Sequence, residues 1–170
     1  IKPFINEKVG CTCGKLVFRN PGDIISGKGE SMYWKYENTL KKLESRIGYV
    51  SGATGAVYAI RRSLFNQLPN NCINDDFTIS MKIIEKGYKC IYTENAIVYE
   101  NVAPSVKSEF KRHIRDATGH YISIIHLYKL INPFLGLRSF IFWSHRLLRW
   151  SVPFFMIFIF FSNIFLLNLD

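Results

Sequence analysis

A chain of 170 residues is long enough for one domain with a real core, yet it begins at Ile1 and closes on a hydrophobic tail, so it reads as a piece of something longer. Its net charge of +9 raises the question of nucleic acid, but the basic residues are spread along the chain among acidic ones. That pattern argues against a polyanion-binding surface and leaves two uses for the charge: a few arginines on a nucleotide diphosphate, and attraction to an anionic membrane face.

In chain order, the first element is a strand over Gly14–Arg19, ended by Pro21 and Gly22. Ser31 then caps a helix on which Tyr33, Tyr36, Leu40 and Leu43 recur at helical spacing, with Glu37 and Lys41 as an i,i+4 pair. The tyrosines and Trp34 of this helix read as packing rather than as a sugar-stacking platform. Next comes Ser51-Gly-Ala-Thr-Gly-Ala-Val-Tyr-Ala-Ile-Arg-Arg62, where two glycines among small residues mark a place where something passes close to the backbone. Arg61 and Arg62 either open a helix in solvent or take part in the site.

A second helix starts at Asp75 or Asp76, carries Phe77, Met81 and Ile84 on one face and ends at Gly87. Carboxylates at that position cap a helix by default, because free amides and the macrodipole favour them there. Two strands follow, Lys89–Thr93 and Ala96–Glu100, and Pro104-Ser105 opens a third helix with Val106, Phe110, Ile114, Ala117 and Tyr121 as its buried stripe. Arg112, Arg115 and Gly119 share a different face of that helix. Two guanidiniums three residues apart can clamp a diphosphate and stabilise its charge as a bond to it breaks; they can also sit on an anionic bilayer.

The rest is apolar. His126–Arg149 has the composition of an amphipathic interfacial helix, with Trp143 and Trp150 as anchors, and Trp150–Leu169 has no charged residue and the length to cross a bilayer. Arg146 and Arg149 flank this span on one side, which by the positive-inside bias puts residues 1–149 in the cytoplasm. Strands alternating with helices make the fold class α/β. The chain divides into residues 1–122, an interfacial segment 123–149 and a transmembrane helix 150–170. Cys11, Cys13, Cys72 and Cys90 lack paired metal-site spacing and read as reduced, partly buried thiols. His113, Asp116 and His120 share a helical face but have no third strong ligand for a metal.

The glycine segment, Asn74-Asp75-Asp76-Phe77 with Gly87-Tyr88 after it, and Arg112-His-Ile-Arg115 resemble, in order and spacing, the second half of the catalytic domain of membrane-bound family 2 glycosyltransferases. The resemblance runs from the strand at Gly14 to the membrane helix. It implies a partial GT-A-type domain, the acceptor-side half, followed by interfacial and transmembrane helices. It further implies an inverting transfer of a sugar, of the hexosyl kind, from a nucleotide-sugar donor to a glycan or lipid-linked acceptor at the cytoplasmic face of the membrane. By the match Asp76 is the general base with Asp75 beside it, Gly52, Ala53, Thr54 and Gly55 line the substrates, and Arg112 and Arg115 hold the diphosphate. Arg112 stands where the family's Gln-x-x-Arg-Trp motif has Gln, and Asp116 where it has Trp. The family's divalent metal, Mg or Mn, is held by an Asp-x-Asp that occurs nowhere in this sequence, so the chain alone is expected to be inactive. The competing expectation is a non-catalytic, basic, membrane-anchored module or the product of a degenerate gene.

Overall fold

The computed structural model describes residues 2–19, 25–101 and 105–167. Pro21, Gly22 and Pro104, where element ends are expected, lie outside the described residues. A three-stranded sheet organises the rest, in the order β2-β1-β3. The middle strand, β1 (Val9–Arg19), starts five residues before the Gly14 expected from the sequence. Its first six residues are all buried, as befits a strand covered on both faces, and Cys11 and Cys13 supply small apolar side chains there. The short β2 (Tyr58–Ile60) pairs antiparallel to it, with Cys11 opposite Ile60. The long β3 (Lys89–Asn101) pairs parallel, and a parallel pair requires a crossover connection, here the whole stretch that carries the first two helices. The two strands expected at Lys89–Thr93 and Ala96–Glu100 are this single strand. Thr93 lies opposite Gly14 and Ile97 opposite Lys15, so Glu94 to Ala96 form a bulge between them.

Helix α1 (Ile25–Ile47) begins before Ser31, which is an interior residue and not a cap. Helix α2 (Asp75–Glu85) has the expected bounds and buries Phe77, Met81 and Ile84; Gly87, at φ +94°, ends it. Helix α3 (Val106–His126) is opened by Ser105, which forms a reciprocal capping box with Ser108. Its apolar stripe is not buried. Val106, Phe110, Ile114 and Tyr121 are all exposed, and the buried positions are Gly119 and Ser123.

After α3, two short 3-10 turns (Tyr128–Ile131 and Pro133–Leu135) lead into α4 (Leu137–Ile141), a π-helical segment (Phe142–Leu147) and α5 (Leu148–Leu167). Leu127, Leu130, Phe142 and Trp150 join the core built by Cys11, Val50, Met81, Ile84 and Cys90. Trp150, expected at the headgroup level, is therefore a core residue, whereas Trp143 is 41% exposed and donates its indole N–H to the Ile131 carbonyl at 3.0 Å. Beyond Trp150, α5 displays phenylalanine, isoleucine and leucine outward. The continuous helix Leu137–Leu167 is the one helix among the described residues long and apolar enough to cross a membrane.

Candidate active site

A cleft of about 830 Å³ opens between α1, the loop after Val50, the start of α2 and one face of α3. Of the residues nominated from the sequence, Ala53, Thr54, Gly55, Asp75, Asp76, Arg112 and Arg115 all line it. Gly52 does not; it lies behind the wall with φ +101°, and a Cβ there would stand 2.5 Å from the Phe77 ring. Only glycine satisfies both the backbone angle and that contact.

Asp76 sits in the first turn of α2, with its backbone N–H donating to the Asp75 carboxylate at 2.9 Å. Gly55 packs directly on its side chain, since a Cβ on Gly55 would lie 2.9 Å from Asp76 Oδ2. Burial pushes the Asp76 carboxyl up, and the neighbouring Asp75 charge adds to this; N–H groups of Phe77 and Gly55 and the charge of Lys41 act the other way. The result is a carboxylate better suited to accept a proton than an exposed one. Asp75, by contrast, is exposed.

Across the cleft, α3 presents Arg112 and Arg115. Arg115 is largely exposed and bonded through Nη2 to the Asp116 carboxylate at 3.2 Å. The helix is held against α2 by small residues: Gly119 abuts the Asn74 side chain, Asn74 Nδ2 donates to the Asp116 carbonyl at 3.1 Å, and Ser123 Oγ lies 3.0 Å from Thr78 Oγ1. His120 stacks on Trp150 in the same wall, ring centroids 4.4 Å apart.

The sequence reading missed the other wall. Glu37 and Lys41, the i,i+4 pair of α1, are each 2% exposed. Glu37 accepts from Arg149 Nη1 and from Tyr33 OH at 3.0 Å, and it pairs with His145 Nε2 at 3.3 Å and Arg146 Nη2 at 3.7 Å. Burial alone would raise its carboxyl, but the His145 hydrogen bond, Arg146 and Arg149 outweigh that and hold it well below the usual range. His145 Nδ1 also meets Glu44 at 2.6 Å, and Arg146 Nε donates to the Ser51 carbonyl at 2.8 Å. Arg146 and Arg149, expected as the charges that flank the span, are thus also internal partners of α1 and of the loop after Val50. The available signal was Glu37, Lys41 and Glu44 at i, i+4 and i+7, a polar stripe beside the aromatic one. Trp34, on the same helix, lines the cleft and also packs against Phe18 at 6.0 Å.

Arg61 stays outside the cleft and ties the N-terminal turn to β1, donating to the carbonyls of Phe4, Asn6 and Val9. The four cysteines are free thiols. Among the described residues no three His, Cys, Asp or Glu side chains converge as a metal site, and the Asp75–Asp76 pair with arginines across from it is a poor donor set for a divalent cation.

No curated protein matches the sequence. The family model described as glycosyl transferase family group 2 matches residues 4–169, which takes in every element around the cleft, and the chain belongs to that family.

Proposed function

We propose that the cleft is the acceptor side of an inverting glycosyl transfer, with Asp76 as general base. The observation that carries this reading is the half-buried Asp76 carboxylate at the start of α2, facing Arg112 and Arg115 on α3 across one cleft. Asp76 takes the proton from an acceptor hydroxyl as that oxygen attacks the anomeric carbon; the bond to the nucleotide diphosphate breaks, and the arginines receive its negative charge. Attack from the face opposite the leaving group gives inversion in one displacement. The Ala53–Gly55 backbone forms the floor against which the sugars lie, with Asp75 at its rim.

In this reading the donor is a nucleotide sugar, of the hexosyl kind, and the acceptor a glycan or a lipid-linked sugar. The divalent metal, Mg or Mn, is held by groups other than these and carries no step here. The outward apolar surface of α5 supports a bilayer setting, with the division at 122 and 149 separating the catalytic part from the membrane-associated one and the catalytic part on the cytoplasmic side.

Asp76→Asn in the full-length protein is the test. Transfer falls by at least about 100-fold while donor affinity is unchanged, measured by product formation and by nucleotide-sugar binding. Retained turnover removes Asp76 as base, whereas no transfer by the wild-type protein either would leave the non-catalytic membrane module as the better reading.

A further inference from the structure

Lys41 is a buried cation in the cleft wall that the transfer chemistry does not by itself require. It projects from α1, and its ammonium donates to Thr54 Oγ1. The next residue is Gly55, whose backbone lies on the Asp76 carboxylate. A lysine excluded from water is costly unless its charge is used. The short path Lys41–Thr54–Gly55–Asp76 shows where this one acts.

We infer that Lys41 is a positioning residue for the base: it pins Thr54 so that the Gly55 backbone stays on the Asp76 carboxylate, and its charge favours the ionised form of that carboxylate. This inference rests on the reading of Asp76 as base. Other charges face the same cleft and set the background. Asp75 on α2 and Tyr58 on β2 lie near Asp76, and Glu37 on α1 and Glu100 on β3 add negative charge to the walls. Arg112, His113, Arg115, Asp116 and His120 come from α3, and Arg146 from the π-helical segment. Arg115 is paired with Asp116, and Arg146 with Glu37 and the Ser51 carbonyl. Lys41 holds this loop at Thr54, the residue next to Gly55, whereas Arg146 holds it further back at Ser51. Burial, reinforced by the Arg146 charge, pushes Lys41 itself down, while Glu37 counteracts this; its charge in turn lowers Asp76.

The sign follows. Asp76 must be ionised to accept a proton, so kcat falls on the acid side through the Asp76 pKa. Removing a neighbouring positive charge raises that pKa and moves the acid limb to higher pH. The experiment is the pH profile of kcat and donor KM for the full-length protein in membranes, for wild type, Lys41→Met, Lys41→Gln and Lys41→Arg, with Asp76→Asn alongside. Lys41→Gln keeps a donor for Thr54 without the charge and replaces Lys41→Met should that variant fail to accumulate. The expected result is an acid limb displaced upward by about half a pH unit in the neutral variants, with donor KM within about twofold of wild type, and a limb returned by Lys41→Arg whatever its absolute rate. A lower rate with an unmoved limb, or a change confined to KM, overturns the inference and makes Lys41 a structural or substrate-contacting residue. If Asp76→Asn is inactive and the limb does not move, the Lys41 inference alone fails; if Asp76→Asn turns over, the base reading fails and takes this inference with it.

Discussion

His120 lies with its ring stacked at 14° on Trp150, and burial, reinforced by the Arg146 charge, pushes its imidazole down to about 4. An unfolded histidine titrates near 6.5, so between these values the unfolded chain binds the additional proton and stability rises with pH. Full stability is therefore present above about pH 6.5 and is lost as pH falls toward 4. We expect the folded protein to be about 2 kcal/mol less stable at pH 5 than at pH 7 from this residue. His120→Phe keeps the stack and flattens the slope, which thermal unfolding at the two pH values measures; an unchanged slope would show that His120 gains a proton in the folded state. Single residues also show where sequence reading reached its limit. Asp76 was legible because a helix start announces itself locally. The burial of Lys41 was not, because nothing within α1 tells which segment lies over it.

At the scale of elements, α3 reverses the usual rule that an apolar stripe marks the core face. Its contact with α2 is made by Gly119 and Ser123, whose size lets the two helices approach closely, while Phe110 and Ile114 face out. That outward stripe continues into α5 through the edge contact of Tyr121 with Phe154, ring centroids 6.1 Å apart. The periodicity of α3 was readable, but the choice of inward face belonged to packing. The side toward the cleft carries the arginines, and Arg115→Ala is expected to weaken nucleoside diphosphate binding to the full-length protein about tenfold, as titration calorimetry reads it. Unchanged affinity would assign this basic face to the membrane surface. The π-helical segment is a second case: its wider turn shifts the phase between α4 and α5 and directs His145 and Arg146 toward α1 and Ser51.

Across the whole molecule, the helix that leaves the domain is tied to the cleft by charge. Glu37 on α1 binds Arg149 and His145 just ahead of the apolar stretch, and Arg146 reaches the loop that carries Gly52 to Gly55. Breaking a buried ion pair from one side is costly because the other charge stays buried and uncompensated. Glu37→Gln is therefore expected to destabilise the protein by about 3 kcal/mol, read as a fall in chemical-denaturation stability. A loss below about 1 kcal/mol would mean that water reaches Arg146 in the folded state.

The order of strand, glycine loop, acidic helix start, arginine-bearing helix and apolar tail follows from local pattern, and the sequence alone determined it, because turns, caps and periodicity are properties of neighbouring residues. It also determined which residues belong near one another, since Thr54, Asp76, Arg112 and Arg115 do meet in one cleft. What only the tertiary structure decided was which faces are inside. Glu37 and Arg146 look like surface residues by type, and Trp150 like an interfacial anchor. They are buried because segments about a hundred residues apart pack together and satisfy each other's charges, as the Glu37–Arg149 pair does.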